Sequence, residues 1–111
     1  MSKPRKVKVG YYDYKIKYIE TNSADSHGQS STDNKDIIVF NNGNAQVVRE
    51  TLLHELLHVI MEDVTTIVFP DLKEEDADRA EEAIIRLISP RLMLFLKENK
   101  HFTRFIESNE G

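Results

Sequence analysis

The sequence predicts an α+β domain in which a small antiparallel or mixed sheet, a hairpin plus an edge strand, packs on a helical second part. Three observations lead there. Apolar residues alternate with polar ones at Val7 and Val9 and again at Tyr14, Ile16 and Tyr18, the period of a half-buried strand. From Ala45 onward they recur at intervals of three and four instead, the period of a helix face. The turn residues Asn41, Asn42, Gly43 and Asn44 separate the two regimes. With 111 residues and no internal repeat, the chain reads as one domain, 1–111, made of a β-rich part (1–43) and a helical part (44–111).

Each element has its own signal. Val7 and Val9 form one arm of a hairpin, Gly10 to Asp13 its turn, and Tyr14 to Tyr18 the other arm. The stretch 20–35 is almost wholly polar and reads as a loop, with room for a short strand near Gly28. Asp36 to Phe40 is β-branched and apolar and predicts a strand at the edge of the sheet. Asn44 is a good N-cap for a helix from Ala45 to about Glu62. At 100° per residue, Val48, Leu52, Leu53, Leu56, Val59 and Ile60 share its apolar arc, with Thr51, His54, His58 and Met61 on another side. After a connection over 63–73 a second helix begins near Glu74. Its apolar positions Ile85, Ile88, Leu92 and Leu96 keep helical spacing across Ser89 and Pro90, so it either kinks at Pro90 or restarts there with Ser89 as cap. His101 to Ile106 predicts a short closing helix.

Composition excludes several function classes. Fifteen basic against nineteen acidic residues give a net charge of −4, so a nucleic-acid backbone is not the expected main partner. The basic first seventeen residues and the acidic run from Asp71 to Glu82 read as solvated faces. No run approaches the ~18 apolar residues of a membrane span, and no apolar leader follows the N-terminus, so a cytoplasmic protein without membrane contact is expected. The chain has no cysteine, which removes disulfide frameworks and thiolate zinc sites. Any metal must be held by His, Asp or Glu.

That condition is met at His54-Glu55-Leu56-Leu57-His58. Residues four apart on a helix lie one turn above each other, so His54 and His58 can occupy adjacent corners of a metal tetrahedron. Glu55 lies about 100° round from the first histidine, poorly placed to ligate the same ion and well placed to reach a water on it. Two histidines and a glutamate on so apolar a helix would be costly to bury without strong partners, which weighs against a purely packed role. A third ligand must come from downstream. Glu82 shares the helix face of Ile85, Ile88 and Leu92 and is the first choice, with Glu81, Asp78 and Glu75 as alternatives. Most of the acidic run is explained by a helix start favoured by the macrodipole.

The segment from Thr51 to Ile60 resembles the extended zincin signature, with an uncharged residue at every position besides the histidines and the glutamate. More widely, Ile37 to Phe102 resembles small phage and bacterial metallopeptidase-like proteins of the minimal gluzincin type, relatives of the ImmA/IrrE and SprT-like groups. The counterparts here are the Leu-Leu-His-Glu-x-x-His helix, Glu81-Glu82-Ala83-Ile84-Ile85 and Leu96-Lys97-Glu98-Asn99. No third histidine or glycine follows at the metzincin position, where Met61 to Val64 stand.

The resemblance implies a zincin-like fold, Zn2+ held by His54, His58 and Glu82, and Glu55 as general base in hydrolysis of a peptide or protein substrate. It also implies a phage or bacterial setting, the host cytoplasm if phage-encoded. The charge on the tetrahedral intermediate needs a second electrophile, for which His101, Tyr11, Tyr12, Tyr14, Tyr18 and Arg86 are candidates. An extended peptide could add to the strand at 37–40. The rival expectation is a non-catalytic zinc-binding regulatory or structural protein, against which the intact Glu55 speaks.

Overall fold

A computed structural model of the chain describes residues 2–21 and 27–109. Strands Lys6–Val9 (β1) and Tyr12–Glu20 (β2) form the expected hairpin, with Val9 opposite Tyr12. The turn is tighter than predicted because Gly10, at φ 63°, reverses the chain in two residues. Part of the predicted 20–35 loop, residues 22–26, lies outside the described residues. Of the remainder, Gly28–Ser31 is a strand (β3), joined by a turn at 32–35 to Asp36–Asn41 (β4).

The strand order is β1-β2-β4-β3, which corrects the expectation that 36–40 is an edge. The chain leaves β2, passes the place β4 will take, forms β3, and returns to insert β4 between the two. β4 therefore runs parallel to β2 and antiparallel to β3. Composition explains the arrangement. The continuous apolar run Ile37 to Phe40 suits a strand flanked on both sides, whereas the short polar Gly-Gln-Ser-Ser strand suits an edge. The register sets Ile16 beside Ile37 and Tyr18 beside Val39, and Tyr14, Ile16, Ile37 and Val39 form the buried face. Lys15 and Lys17 point to the opposite, exposed side.

Helix α1, Ala45–Ile60, lies on the buried face against β3 and β4. Asn44 caps it as predicted, accepting from the amides of Gln46 at 3.0 Å and Val47 at 3.2 Å. Asn41 and Asn42 accept from the amides of Gly43 and Asn44, so a short asparagine-rich corner turns β4 into the helix. The helix stops two residues before the expected Glu62, and Asp63 takes the left-handed φ of 67° just after. Its buried line is Val48, Thr51, Glu55 and Val59. Leu52 and Leu56 pack partly against the sheet core, whereas Ile60, placed on the apolar arc by its spacing, is 58% exposed. Strand β3 covers the Thr51 and Glu55 side of the helix, which lies off that apolar arc.

The connection over 63–73 contains a one-turn helix, Val64–Val68 (α2), too short for its periodicity to register. Glu74–Glu98 (α3) is one helix that continues through Pro90, deciding between the two predicted alternatives. Its most buried positions are Ala77, Ile85 and Ser89; Ile88, expected on the packed face, is 47% exposed. The closing helix spans Lys100–Glu107 (α4) and meets α3 through an edge-to-face pair of Phe95 and Phe102, centroids 5.3 Å apart. Phe105 and Ile106 stay exposed. Among the described residues no helix is long and apolar enough to cross a membrane.

The Asn44 cap yields a direct test. Asn44→Ala should lower the unfolding free energy by about 1 kcal/mol, read from the urea midpoint, whereas Asn44→Asp should retain most of it.

Candidate metal centre

The two histidines of α1 stand one turn apart, their ring centroids separated by 5.0 Å and their planes inclined at 67°. Helix α3 packs against α1 so that one carboxylate reaches both rings. Glu82 Oε1 lies 3.1 Å from His54 Nε2, and its Oε2 lies 2.7 Å from His58 Nε2. One ligand atom from each of His54, His58 and Glu82 falls within 4.8 Å of the others, close enough to bind a single metal ion. One turn further along α3, Arg86 donates from Nε to Glu82 Oε1 at 3.0 Å.

The electrostatics follow from these contacts. Burial raises the pKa of the Glu82 carboxyl, but the hydrogen bond from Arg86 and the two neighbouring histidines outweigh it, so the pKa lies below the ordinary value. Burial disfavours the charged form of His58, yet its hydrogen bonds to Glu81 and Glu82 and the nearby charges of Glu82 and Glu55 hold its pKa above that of a free histidine.

The donor set suits a metal. Two imidazole nitrogens and one carboxylate oxygen are the ligand types of first-row divalent sites, zinc among them. Metal–ligand bonds of about 2.0–2.2 Å place the corners of a tetrahedron roughly 3.4 Å apart, so the 3.1 and 2.7 Å contacts, made by different oxygens of Glu82, would open by about 0.3 and 0.7 Å around one ion.

The remaining predicted residues separate clearly. Glu81 lies on the far side of His58, where Nδ1 donates to its Oε2 at 2.8 Å, and it does not join the three converging groups. Asp78 is exposed and lines the same groove without joining them, and Glu75 does not line it. Glu55 is 8% exposed, lines the groove, and receives no hydrogen bond from another described residue. The strand β3 covers it closely. A methyl group at position 28 would lie 2.7 Å from Thr51 Cγ2, 2.8 Å from the Ile38 carbonyl oxygen and 3.3 Å from Glu55 Cγ, so only glycine fits.

The groove holding these groups is open and about 1100 Å³ in volume. Of the six electrophile candidates, Arg86 alone lines it. His101 and the four tyrosines do not: Tyr14 is in the core, Tyr11 is 95% exposed, and Tyr18 donates its hydroxyl to the Pro4 carbonyl. Sequence reasoning missed His27, which lines the groove from the start of β3. Its only signal was being one of four histidines beside a glycine in a polar stretch. Set against known proteins, the chain matches no protein-family model, no curated protein and no solved structure.

Two measurements probe this geometry. Zinc at a hundred times its dissociation constant should stabilise the fold by about 2.7 kcal/mol, seen as a rise in Tm that a chelator reverses and that His58→Ala abolishes. Gly28→Ala should destabilise by about 1–3 kcal/mol in denaturant melts, because the added methyl group meets the backbone of β4.

Proposed function

We propose that the protein is a zinc metallopeptidase of the gluzincin type, with His54, His58 and Glu82 as ligands and Glu55 as general base. One observation carries this reading: two imidazoles and a carboxylate converge in an open groove whose wall holds a buried carboxylate one residue after the first ligand. A structural zinc site is closed by four protein ligands, whereas three groups converge here beside open space. When bound, zinc supplies Lewis acidity toward a scissile carbonyl and toward a water.

The chain's own residues supply the rest. The Glu55 carboxylate accepts a proton from the attacking water and later returns it to the leaving amine nitrogen. Its place between Thr51 and the glycine of β3 limits its freedom, and a fixed base loses less entropy in reaching the water. Arg86 holds Glu82 through Nε, and its terminal nitrogens are the cationic donors of the groove that can face developing oxyanion charge. The substrate is an extended peptide adding its main chain to the sheet edge. That edge is β3, with Gln29 and Ser30 lining the groove, and not the strand at 37–40.

The decisive variant is Glu55→Gln, assayed on a degenerate peptide library by mass spectrometry with bound zinc measured in parallel. Cleavage should fall at least about 100-fold while one equivalent of zinc is retained. Loss of zinc along with activity would make Glu55 a ligand, and an inactive wild type carrying its full zinc would defeat the peptidase reading.

A further inference from the structure

Glu81 and Glu82 are consecutive on α3 and therefore project about 100° apart, yet both reach the same imidazole. They do so because His58 lies between them. Glu82 Oε2 stands 2.7 Å from Nε2 and Glu81 Oε2 stands 2.8 Å from Nδ1. Glu81 continues the buried line of α3 between Ala77 and Ile85, and its side chain is 20% exposed against 35% for Glu82. It is thus the inner of the two carboxylates, and it approaches the ring from behind. No carboxylate of a described residue lies within ion-pair distance of Nδ1 of His54, so the second nitrogen is held in one histidine only.

A carboxylate accepts and does not donate, so a ring held by Glu81 at Nδ1 carries its hydrogen there and leaves the Nε2 lone pair for a ligand. The hydrogen bond also stops the ring from turning about its Cβ–Cγ bond. We propose that Glu81 is a positioning residue for the metal centre: it fixes the tautomer and orientation of His58 without touching the ion. This inference rests on the metal-binding part of the reading above and not on its hydrolytic part.

The test uses the full chain, with zinc affinity measured by competition against a chromophoric chelator and the ligand field read from Co2+ absorption. The wild type should take up one equivalent of zinc, and Glu82→Ala should lose that site. Glu81→Ala should keep one equivalent and the Co2+ band positions but bind zinc about 10- to 100-fold more weakly. Glu81→Gln, whose amide oxygen still accepts from Nδ1, should recover most of the loss. Unchanged affinity in Glu81→Ala would overturn the assignment, and loss of the site to the extent seen in Glu82→Ala would make Glu81 a ligand. Should Glu81→Ala fail to fold, Glu81→Gln decides by ¹⁵N NMR of the zinc-loaded protein. A His58 Nδ1 proton that is shifted downfield and slow to exchange with water supports the inference, and one that exchanges freely overturns it. A wild type that binds no zinc overturns this inference and the metal reading together; a zinc-loaded protein that cleaves nothing removes only the hydrolytic reading.

Discussion

The clasp of Glu82 on two imidazoles is the interaction on which the helical half of this protein depends. Helices α1 and α3 are joined through a connection that contributes a single short turn of helix, and the fully buried apolar surface α3 brings to its packing is small, chiefly Ala77 and Ile85. A polar cluster of two histidines and two glutamates therefore occupies ground where a larger domain would place leucines. Such a cluster holds only if each member is satisfied, since a partly buried imidazole or carboxylate without a partner opposes folding. The hydrogen bonds to Glu81 and Glu82 meet that requirement for His58, His54 keeps a 3.1 Å contact with Glu82, and Arg86 extends the cluster to the groove rim. An ion accepted by the same groups would replace one set of satisfied contacts by another.

The sheet serves the site through its edge. Because β4 inserts between β2 and β3, the apolar strand is enclosed and the polar one is left beside α1. There the missing side chain of Gly28 lets the backbone settle onto Thr51 and Glu55. A carboxylate on the buried line of a helix is an unfavourable choice for stability alone. Its burial by a strand that has no bulk at the point of closest approach is what keeps it both held and adjacent to the groove.

Local chemistry made most of the elements legible. Alternation marked β1 and β2, a β-branched run marked β4, Asn44 marked the start of α1, and unbroken spacing across Pro90 left a continuous α3 open as one of two alternatives. The His54, His58 and Glu82 convergence was legible for the same reason: spacing puts the histidines on one face, and the register of α3 ranks its carboxylates. What escaped was set by long-range packing. The polar Gly-Gln-Ser-Ser segment is compatible with an edge and the apolar Ile37 to Phe40 with an interior strand, but the order itself depends on where the chain crosses over. The burial of Thr51 and Glu55 follows from that order, since it sets β3 beside α1, whereas the exposure of Ile88 reflects the packing of α3 on α1 and not on the sheet. His27 and the position of Glu81 behind His58 are likewise tertiary facts, invisible to periodicity.

The same topology divides the chain by the distance over which its contacts close. The β1–β2 and β3–β4 hairpins close across turns of two and four residues, contacts that cost little chain entropy. The site is different, since His54 and His58 meet Glu82 across 28 and 24 residues of chain and Gly28 meets Thr51 and Glu55 across 23 and 27. The convergence of His54, His58 and Glu82 thus closes over no shorter a stretch of chain than the cover over Glu55. Helix α1 is common to both contacts, so a loss of its packing would open the groove from the β3 side and from the α3 side at once.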